Sequence, residues 1–346
     1  MTFSKLLIDW YLQNRRDLPW RKTPHPYPVW LSEIMLQQTR VAQGLPYFNK
    51  FIAAFPTVQD MANAPEEKVL HLWQGLGYYS RARNLHATAK MVAFDLGGSF
   101  PDSYAGLLKL KGVGDYTAAA IASICYGEAV PVVDGNVYRV LSRYFGITTD
   151  ISSSGAKKEF TALAASLMPA GQASAFNQAM MEFGALQCVP KSPDCAACIF
   201  NDTCAAYATG RVAELPVKLK KQKVTDRYLN YIVVKDAAGK LLVQRRSEKG
   251  IWHGLYQFPL LETEEFTSNQ ATVPLIHSFA QLGFEPEQIT LLSPEVVIHK
   301  LSHQKLHIRF WEVTTALTLQ DAIEPERLKN IPLPIVLHNF ATRHWQ

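Results

Sequence analysis

Two carboxyl groups stand in sequence contexts that suit acid chemistry, and the first is Glu33 in VWLSEIMLQQTRV, residues 29–41. A carboxyl group on a mostly apolar helix either faces solvent or is desolvated, and desolvation raises its pKa so that it can donate a proton near neutral pH. A surface position is the commoner outcome for a glutamate taken at random. The polar run Gln37, Gln38, Thr39 and Arg40 favours a site instead. A helix over 29–41 would place Gln37 one turn from Glu33 on the same face.

The second carboxyl group, Asp134, follows a glycine-rich turn in LKGVGDYTAAAIASICYGEAVPVVDGNV, residues 110–137. The turn carries Gly112 and Gly114 between a short predicted helix over 103–110 and a longer one over 116–125. That pattern predicts a helix–hairpin–helix, whose exposed amides bind a phosphate backbone without reading sequence. Asp134 suits two compatible roles, as the N-cap of a helix over 136–145 and as an acid close to the bound phosphate.

Four cysteines fall within 17 residues, separated by six, two and five residues: Cys188, Cys195, Cys198 and Cys204. Four thiolates so close together predict a metal site. Zinc sites favour two Cys-x-x-Cys pairs, and only one such pair is present, so the uneven spacing favours an iron–sulfur cluster. Cys125 lies in the apolar run AAAIASICYG and is expected to be buried without a role.

A weaker signal lies in LWQGLGYYSRARNL, residues 72–85. A Gly-x-Gly turn is followed by two tyrosines and by Arg81 and Arg83, a mixture that can stack on bases and meet phosphates. Core tyrosines beside a solvated arginine face would produce the same pattern.

The elements around these residues divide the chain into two domains. Residues 1–212 have helical periodicity, with the hairpin at about 103–125 and the cysteine loop at 188–204. The basic segment RVAELPVKLKKQKVTDR, 211–227, predicts an exposed linker over 213–227. Residues 228–346 alternate as strands, with a hairpin pivot at 236–239, a second strand pair over 296–313 and a helix over 274–284. The fold class is therefore multidomain, an all-α domain followed by a smaller α+β domain.

Composition is consistent with an intracellular globular protein. The 346 residues are 48% hydrophobic with a net charge of +5, which excludes a disordered chain and is compatible with a nucleic-acid partner. No apolar run reaches the roughly 18 residues of a membrane span, and charges interrupt the N-terminal segment MTFSKLLIDWYLQNRR, so neither a membrane partner nor a signal peptide is expected. We expect a cytoplasmic monomer, associated with the nucleoid if bacterial, without structural disulfides.

Together these motifs resemble the helix–hairpin–helix DNA glycosylases that carry a [4Fe-4S] cluster, and most closely the adenine DNA glycosylases of the MutY type. The matching segments span nearly the whole chain: LPWR (18–21), SEIMLQQTRV (32–41), GLGYYSRARNL (75–85), LKGVGDYTAAAI (110–121), VDGNVYRVL (133–141) and the four-cysteine loop.

The resemblance implies an enzyme that removes adenine mispaired with 8-oxoguanine or guanine in double-stranded DNA, after flipping the adenine into a pocket. It implies that Glu33 protonates the purine N7 and that Asp134 stabilises the oxocarbenium sugar, a division of labour known from other glycoside-cleaving pairs. Asn136 and Tyr116 match positions that assist at the sugar.

Further matches imply contacts to the DNA. Arg16 and Arg21 match residues near the adenine pocket, and the hairpin glycines match the backbone-binding turn. Tyr78 and Gln37 or Gln38, with Thr39 beside them, match side chains that probe the opposite strand at the lesion.

Position 116 distinguishes two activities within the superfamily. Relatives similar to endonuclease III have a lysine there, which forms a Schiff base and cuts the strand. Tyr116 cannot form an imine, so the resemblance implies a monofunctional glycosylase. Two alternatives remain open: a bifunctional glycosylase/lyase, and a non-catalytic iron–sulfur protein that binds lesions.

The C-terminal half resembles the Nudix-like domain with which MutY-type enzymes recognise 8-oxoguanine, most clearly in GIWHGLYQFP, 250–259. No arginine occurs between Ser247 and Ile308, so the Arg-Glu pair that holds Mg²⁺ in a Nudix hydrolase is missing and a binding role is expected. The recognition triplet has Leu301 where the family has phenylalanine, followed by the hydrogen-bonding pair Ser302 and His303.

Overall fold

The computed structural model describes residues 2–219, 223–265, 286–292 and 295–345. The chain forms two compact units. The first contains Met1–Ala64 and Asn84–Lys221, and the second contains Pro65–Arg83 and Gln222–Gln346. The domain boundary at 213–227 stays a prediction. The two units differ from it in one respect, because Pro65–Arg83 belongs to the second unit.

The described helices are α1 (Phe3–Asn14), α2 (Pro26–Leu36), α3 (Val41–Ala54), α4 (Val58–Asn63), α5 (Glu66–Leu72), α6 (Ser80–Lys90), α7 (Tyr104–Leu107), α8 (Asp115–Tyr126), α9 (Gly135–Phe145), α10 (Ala156–Leu167), α11 (Ala173–Leu186), α12 (Ala205–Ala208) and α13 (Ile335–Trp345). Short 3₁₀ turns span Pro19–Arg21 and Pro325–Asn330, and a π-helical turn follows α6 at Met91–Asp95. The second unit contains α5, the first turn of α6 and α13.

The core of the first unit forms where α11 packs against α1, α8 and α9. Phe160, Phe176 and Phe183 are almost fully buried there. Gly184 permits a close approach between α11 and α9, because a Cβ atom at this position would lie 2.6 Å from Cβ of Asn136. The sequence of α11 therefore brings its C-terminal half against the start of α9, where Asp134 and Asn136 lie.

Small side chains let α8 pack closely against its neighbours. Seven consecutive residues, Thr117–Ser123, are buried, and all but Ile121 are small; α8 contacts both α2 and α11. The helix ends at Gly127, which adopts φ 72° as the C-cap, a conformation that glycine accepts without a Cβ penalty. Through these contacts α8 connects the Glu33 helix to α11, which packs in turn against α9, the helix that Asp134 caps.

The second unit is built on a seven-stranded sheet with the order β6-β8-β1-β2-β9, in which β5 also pairs with β1 and β7 with β8. Its strands are β1 (Thr225–Lys235), β2 (Leu241–Leu242), β5 (Leu260–Thr263), β6 (Gln288–Leu291), β7 (Val297–Lys300), β8 (Gln304–Thr314) and β9 (Ala322–Ile323). The long strands β1 and β8 run parallel, and β3 (Gln244–Arg245) and β4 (Tyr256–Gln257) form a separate antiparallel pair.

The predicted fold class is confirmed: the first unit is helical and every described strand begins at or after Thr225. Both predicted strand pairs are present, as the β1–β2 hairpin and as β7 paired with β8. The predicted helix over 274–284 lies outside the described residues.

The predicted helix over 29–41 is wrong at its C-terminal end. It stops at Leu36, and Gln38 adopts a left-handed φ of 57° before α3 begins at Val41. The break reverses the chain so that α3 packs on α2, a tertiary contact that outweighs the local helical pattern. Gln37 therefore does not continue the helical face of Glu33.

Two smaller differences concern loops. The first helix of the hairpin is shorter than expected, because α7 ends at Leu107 and turns follow it. Part of the predicted linker is packed: Leu215 is 2% exposed, and the backbone N–H of Ile151 donates to the Val217 carbonyl over 3.0 Å.

Within the described ranges, no helix is long and apolar enough to cross a lipid bilayer. The five cysteines all lie in those ranges and form no disulfide.

Candidate active site

Glu33 lies on a helix that is buried on nearly all sides. The helix α2 has proline at its first position, where the fixed φ suits a helix start, and the His25 side chain caps it by accepting from the Tyr27 backbone N–H. Glu33 itself is only 7% exposed. The sequence therefore places a carboxyl group in an apolar interior, as one of the two alternatives predicted.

This burial sets the protonation of Glu33. Desolvation raises the pKa of Glu33 to about 7; a hydrogen bond from Tyr116 lowers it, the Asp134 carboxylate raises it and the Arg21 guanidinium lowers it. The Oε2 atom has no hydrogen-bond partner among the described residues. Glu33 is thus an acid that is about half protonated at neutral pH, with one buried oxygen that has no hydrogen-bond partner among the described residues.

Tyr116 stands at the start of α8, between Glu33 and α11. Its hydroxyl group is 3.3 Å from Sδ of Met181, and burial raises the pKa of the phenol well above its ordinary value. The phenol therefore stays protonated and acts as a hydrogen-bond donor rather than as a base.

Asp134 caps α9, as the sequence predicted. Its Oδ1 accepts from the backbone N–H groups of Asn136 and Val137 over 2.9 and 2.8 Å, and its Oδ2 accepts from the Asn136 side-chain amide over 2.8 Å. Burial raises the pKa of Asp134, and these hydrogen bonds oppose the rise. The carboxylate is therefore fixed in orientation by its own helix.

Arg139 holds Asn136 in place. The guanidinium donates to Oδ1 of Asn136 over 2.8 Å, to the Gly184 carbonyl over 2.6 Å and to the Cys188 carbonyl over 2.7 Å. Asn136 consequently has its carbonyl oxygen bound to Arg139, while its amide group binds Asp134. This chain of contacts connects the cysteine loop to the candidate site.

Arg16 and Arg21 converge on one buried carboxylate, Glu182, whose side chain is 1% exposed. Arg16 binds it through Nε and Nη2 at 2.9 and 2.7 Å, and Arg21 through Nη1 and Nη2 at 3.0 and 2.8 Å. Burial alone would raise the pKa of Glu182, but its bonds to the two arginines outweigh this effect and lower the pKa from 4.5 to about 2. The sequence-predicted arginines are therefore brought together, and Arg21 also acts electrostatically on Glu33.

The polar run after α2 forms a turn beside α8. The Gln37 side chain donates to Oγ1 of Thr117 over 3.2 Å, and Thr39 Oγ1 donates to the Gln37 carbonyl over 3.3 Å. Gln38 is exposed and has a left-handed backbone. A strained, exposed residue next to a catalytic candidate is typical of a binding turn.

The predicted hairpin is present. Gly112 adopts φ 77°, and a Cβ atom there would lie 2.7 Å from Cβ of Asn84, so the turn requires glycine. Gly114 is the N-cap of α8 and offers no side-chain cap, which leaves the first amides of a 12-residue helix available to an anion.

In the second unit, Tyr78, Ser302 and His303 line one cavity of about 570 Å³. This volume lies in the range of small-molecule sites. Tyr78 is 45% exposed, and the Arg81 guanidinium lies 5.4 Å from its ring centroid. Leu301 lines the same cavity and is half-buried.

The four loop cysteines line a single cavity in the first unit, with Phe183 and Phe200 among its walls. In the described ranges, no three His, Cys, Asp or Glu side chains are close enough to hold a single metal ion. The structure nevertheless brings the four thiols to one cavity, as the predicted metal site requires.

Hydrogen bonds also favour thiolate sulfur in this loop. Arg143 donates to Sγ of Cys188, and the Phe200 backbone N–H to Sγ of Cys198, each over 3.5 Å. Such donors stabilise the negative charge of cluster ligands. Cys125 is half-buried, and burial raises the pKa of its thiol to about 12, which keeps it unreactive.

Sequence reasoning missed three residues that hold the site in place: Glu182, Arg139 and Arg143. All three are charged and almost fully buried. A signal was present, because charged residues at apolar positions of helical patterns are rarely buried without a partner. The pattern could not identify their partners. Most of these lie 45 or more residues away, although Arg139 also binds Gly135 and Asn136 nearby in sequence.

Comparison with known families agrees with this architecture. Residues 31–165 match a family described as "HhH-GPD superfamily base excision DNA repair protein", and residues 230–343 match a NUDIX domain.

Individual relatives extend the match to most of the chain. An adenine DNA glycosylase of Buchnera aphidicola (subspecies Schizaphis graminum) is 35% identical over 312 residues, which cover 88% of this chain and 86% of that protein. The human adenine DNA glycosylase is 45% identical over 213 residues, covering 59% of this chain and 39% of that protein.

Solved structures match the helical part. A thermostable thymine-DNA glycosylase is 31% identical with a TM-score of 0.55 and covers 60% of this chain and 95% of its own. Endonuclease III in a trapped covalent DNA complex is 22% identical with a TM-score of 0.53 over 60% of this chain and 94% of its own, which supports the fold alone.

Proposed function

The chain belongs to the adenine DNA glycosylase family, and from that membership we propose that it removes adenine mispaired with 8-oxoguanine or guanine in double-stranded DNA, as a monofunctional base-excision enzyme. The observation that carries the proposal is the buried Glu33, whose pKa of about 7 and unpartnered Oε2 make it a proton donor at physiological pH.

In the proposed reaction, the target adenine leaves the duplex and Glu33 donates a proton to its N7. The C1′–N9 bond then breaks, and the bonding electron pair leaves with the base, which departs as neutral adenine. The sugar becomes an oxocarbenium ion. Water adds to C1′ and loses a proton, so that an abasic sugar remains in an intact strand.

Asp134 is proposed to stabilise the sugar cation. Its pKa is raised, but its three hydrogen bonds and the cation that forms beside it favour the ionised state. Asn136, held by Arg139, orients this carboxylate. The two carboxyl groups thus have opposite tasks set by their surroundings: Glu33 has an unpartnered oxygen in an apolar interior, and Asp134 is fully hydrogen-bonded.

Tyr116 supports the monofunctional assignment. A lyase needs an amine that attacks C1′ and forms an imine. The phenol at this position has no such chemistry, and its raised pKa keeps it protonated beside Glu33. We propose that Tyr116 orients Glu33 and excludes water from it.

Double-stranded DNA is the proposed partner, bound by a monomer. The hairpin amides after Gly112 would meet the phosphate backbone, which contributes affinity without sequence preference. Gln37, Gln38 and Thr39 are proposed to contact the strand opposite the adenine, since they form a polar turn directly after the Glu33 helix, with Gln38 exposed at its centre. A cytoplasmic location, at the nucleoid in a bacterium, would place the enzyme beside this substrate.

Recognition of 8-oxoguanine is proposed for the second unit. Tyr78, Ser302 and His303 come from distant segments and line one cavity. Ser302 Oγ lies 3.3 Å from Nδ1 of His303, so the pair offers neighbouring hydrogen-bonding groups.

We propose that the cysteines 188, 195, 198 and 204 hold a [4Fe-4S] cluster. Their shared cavity and the N–H donors aimed at sulfur support this assignment. When bound, the cluster would order the loop that carries Lys191 for contact with DNA. Arg139 connects the backbone of this loop to Asn136, so an ordered loop would also support the orientation of Asp134.

One set of duplexes tests the function: adenine opposite 8-oxoguanine, adenine opposite guanine, and a thymine-glycol control. We expect adenine release from the first two, with strand cleavage only after alkali. Glu33→Gln should lose release by at least about 100-fold, the contribution of a general acid, and keep lesion binding. Normal turnover by this variant would contradict the acid assignment.

The same assay separates the alternatives. Strand cleavage without alkali, with a borohydride-trapped adduct, would indicate a bifunctional glycosylase/lyase. Lesion binding without base release would indicate a non-catalytic protein. The paired carboxyl groups at the site favour catalysis over binding alone.

A further inference from the structure

Two aromatic residues of the second unit have strained backbones and line the same cavity. Tyr78 has φ 49° and Trp252 has φ 60°, both in the left-handed region that bulky residues rarely adopt. Both line the cavity that also contains Ser302 and His303. Because such strain persists only where the surroundings enforce it, its occurrence twice in one cavity points to a shared use.

Trp252 is fixed by the loop that carries it. The residue is 8% exposed, and its carbonyl accepts from the Leu255 backbone N–H over 3.1 Å. The following residue, His253, accepts a hydrogen bond at its carbonyl from Arg83. The indole is therefore held in position rather than free to collapse into the cavity.

His299 is the neighbour of Trp252 on the cavity wall. The ring centroids are 5.9 Å apart with an interplanar angle of 49°. His299 lies on β7 and is half-buried, whereas the adjacent Ile298 is 43% exposed. The alternation of a strand thus directs His299 to one face of β7 and Ile298 to the other.

The polar atoms of this aromatic pair have no partner. Within the ranges that the structure describes, neither the indole N–H of Trp252 nor a ring nitrogen of His299 makes a hydrogen bond. Burial lowers the pKa of His299, so its ring is neutral at physiological pH and offers one donor and one acceptor. The wall therefore presents two donors and one acceptor beside aromatic surface.

We propose that Trp252 and His299 are specificity-determining residues that contact the oxidised purine opposite the adenine. The chemistry matches, because 8-oxoguanine has an N–H donor at N7 and a carbonyl acceptor at C8, whereas guanine has an acceptor at N7 and no polar group at C8. A neutral histidine accepts from N7–H, and the indole donates to the C8 carbonyl. The aromatic surface compensates for Leu301, which has no ring to offer.

This inference rests on the proposed function, and its test separates the two. The dissociation constants of duplexes containing 8-oxoguanine or guanine opposite a non-hydrolysable adenosine analogue are measured, and their ratio is the readout. His299→Phe keeps the ring and removes its nitrogens; Trp252→Phe removes the indole N–H. Each should reduce the preference for 8-oxoguanine about tenfold, the effect of one hydrogen bond.

Ile298→Ala is the matched control on the opposite face of β7, and its ratio should equal that of the wild type. Thermal unfolding shows whether each variant is folded. If one of the two Phe variants fails to fold, the other still tests the assignment. A wild-type protein without preference would contradict 8-oxoguanine recognition itself. If the wild type prefers 8-oxoguanine and both Phe variants keep that preference within twofold, the assignment of Trp252 and His299 is overturned, while 8-oxoguanine recognition still stands.

Discussion

The Glu182 carboxylate binds the Arg21 guanidinium through two hydrogen bonds, of 3.0 Å from Nη1 and 2.8 Å from Nη2. Arg21 is also the cation that lowers the pKa of Glu33. The buried Glu182 thus positions the Arg21 guanidinium, whose positive charge acts on the second buried glutamate, Glu33. Burial raises the pKa of both carboxyl groups. It leaves Glu33 at about 7, whereas the bonds from Arg16 and Arg21 bring Glu182 down to about 2.

Glu182→Gln should therefore change the pH dependence of adenine release. Without the Glu182 charge, Arg21 and Arg16 are uncompensated, and their positive potential lowers the pKa of Glu33. Because the proposed general acid Glu33 has to be protonated to act, the decline in rate with rising pH should begin at a lower pH than in the wild type. Single-turnover rates measured across pH would show the shift. An unchanged profile would mean that Glu182 supports the fold without acting on the acid.

The same substitution should destabilise the protein by about 3 kcal/mol at pH 7, because it leaves two arginines without a buried partner. The pKa of Glu182 is depressed from 4.5 to about 2, so its contribution is present above pH 4.5 and is lost as pH falls through 2. The difference in stability from the wild type should shrink over that range. Glu159→Gln, an exposed acid on α10, is the control and should cost little at any pH.

Glu33→Gln should stabilise the protein at alkaline pH. The folded-state pKa of Glu33 is raised from 4.5 to about 7, so its favourable contribution is present below pH 4.5 and is lost as pH rises through 7. Above pH 7 the wild type keeps a desolvated carboxylate that the amide variant lacks. We expect a gain on the order of 2 kcal/mol at pH 8 that falls towards zero near pH 4, measured by denaturant unfolding. A loss at pH 8 would contradict the raised pKa.

Much of the fold was predictable because local rules and tertiary packing agree in most segments. Asp134 illustrates this agreement: an aspartate before a helical pattern predicts an N-cap, and its two backbone hydrogen bonds confirm it. Gln37 illustrates the opposite, since nothing in the helical periodicity of 29–41 reveals that α3 must fold back on α2. The chain reversal at Gln38 depends on contacts between helices, which periodicity does not encode.

The candidate site was predictable only in part, for a related reason. Glu33 and Asp134 are recognisable because each stands beside a local motif. Glu182 stands in no motif, and Arg139 is fixed by the distant Gly184 and Cys188 carbonyls. Their importance therefore comes from partners that lie far away in sequence, such as Arg21 for Glu182. A sequence pattern indicates a residue that is unusual where it stands, but only the folded chain shows which charges meet.

Tyr116→Lys should add the lyase chemistry that the proposed monofunctional enzyme would lack. A lysine amine beside the sugar can attack C1′ and form an imine, which borohydride reduces to a stable protein–DNA adduct. We expect trapping with Tyr116→Lys on duplexes with adenine opposite 8-oxoguanine. Tyr116→Phe is the control and should yield no adduct, because it removes the hydroxyl group without adding an amine. Equal trapping by the wild type would contradict the monofunctional assignment.

Arg143→Gln should weaken the cysteine loop. The buried guanidinium donates to the carbonyls of Leu215, Val189 and Pro190 over 3.0, 2.8 and 3.0 Å. A glutamine is too short to replace all three bonds, and each unsatisfied buried carbonyl costs about 1 kcal/mol or more. We expect a lower melting temperature and less iron per protein molecule. Arg211→Gln, at a half-exposed arginine bound to Glu214, should change neither quantity appreciably.

Gly112→Ala should damage the hairpin more than its small size suggests. The residue has φ 77°, and the new Cβ would lie 2.7 Å from Cβ of Asn84, so both the backbone and the neighbouring side chain must shift. We expect a loss of about 1–3 kcal/mol in stability and weaker binding to undamaged duplex, because the substitution distorts the turn that is proposed to present amides to phosphate. Gly155→Ala is the control, since its Cβ would meet nothing within 4 Å and its φ is negative. If Gly112→Ala bound duplex as tightly as this control, the hairpin would not be the backbone-binding turn.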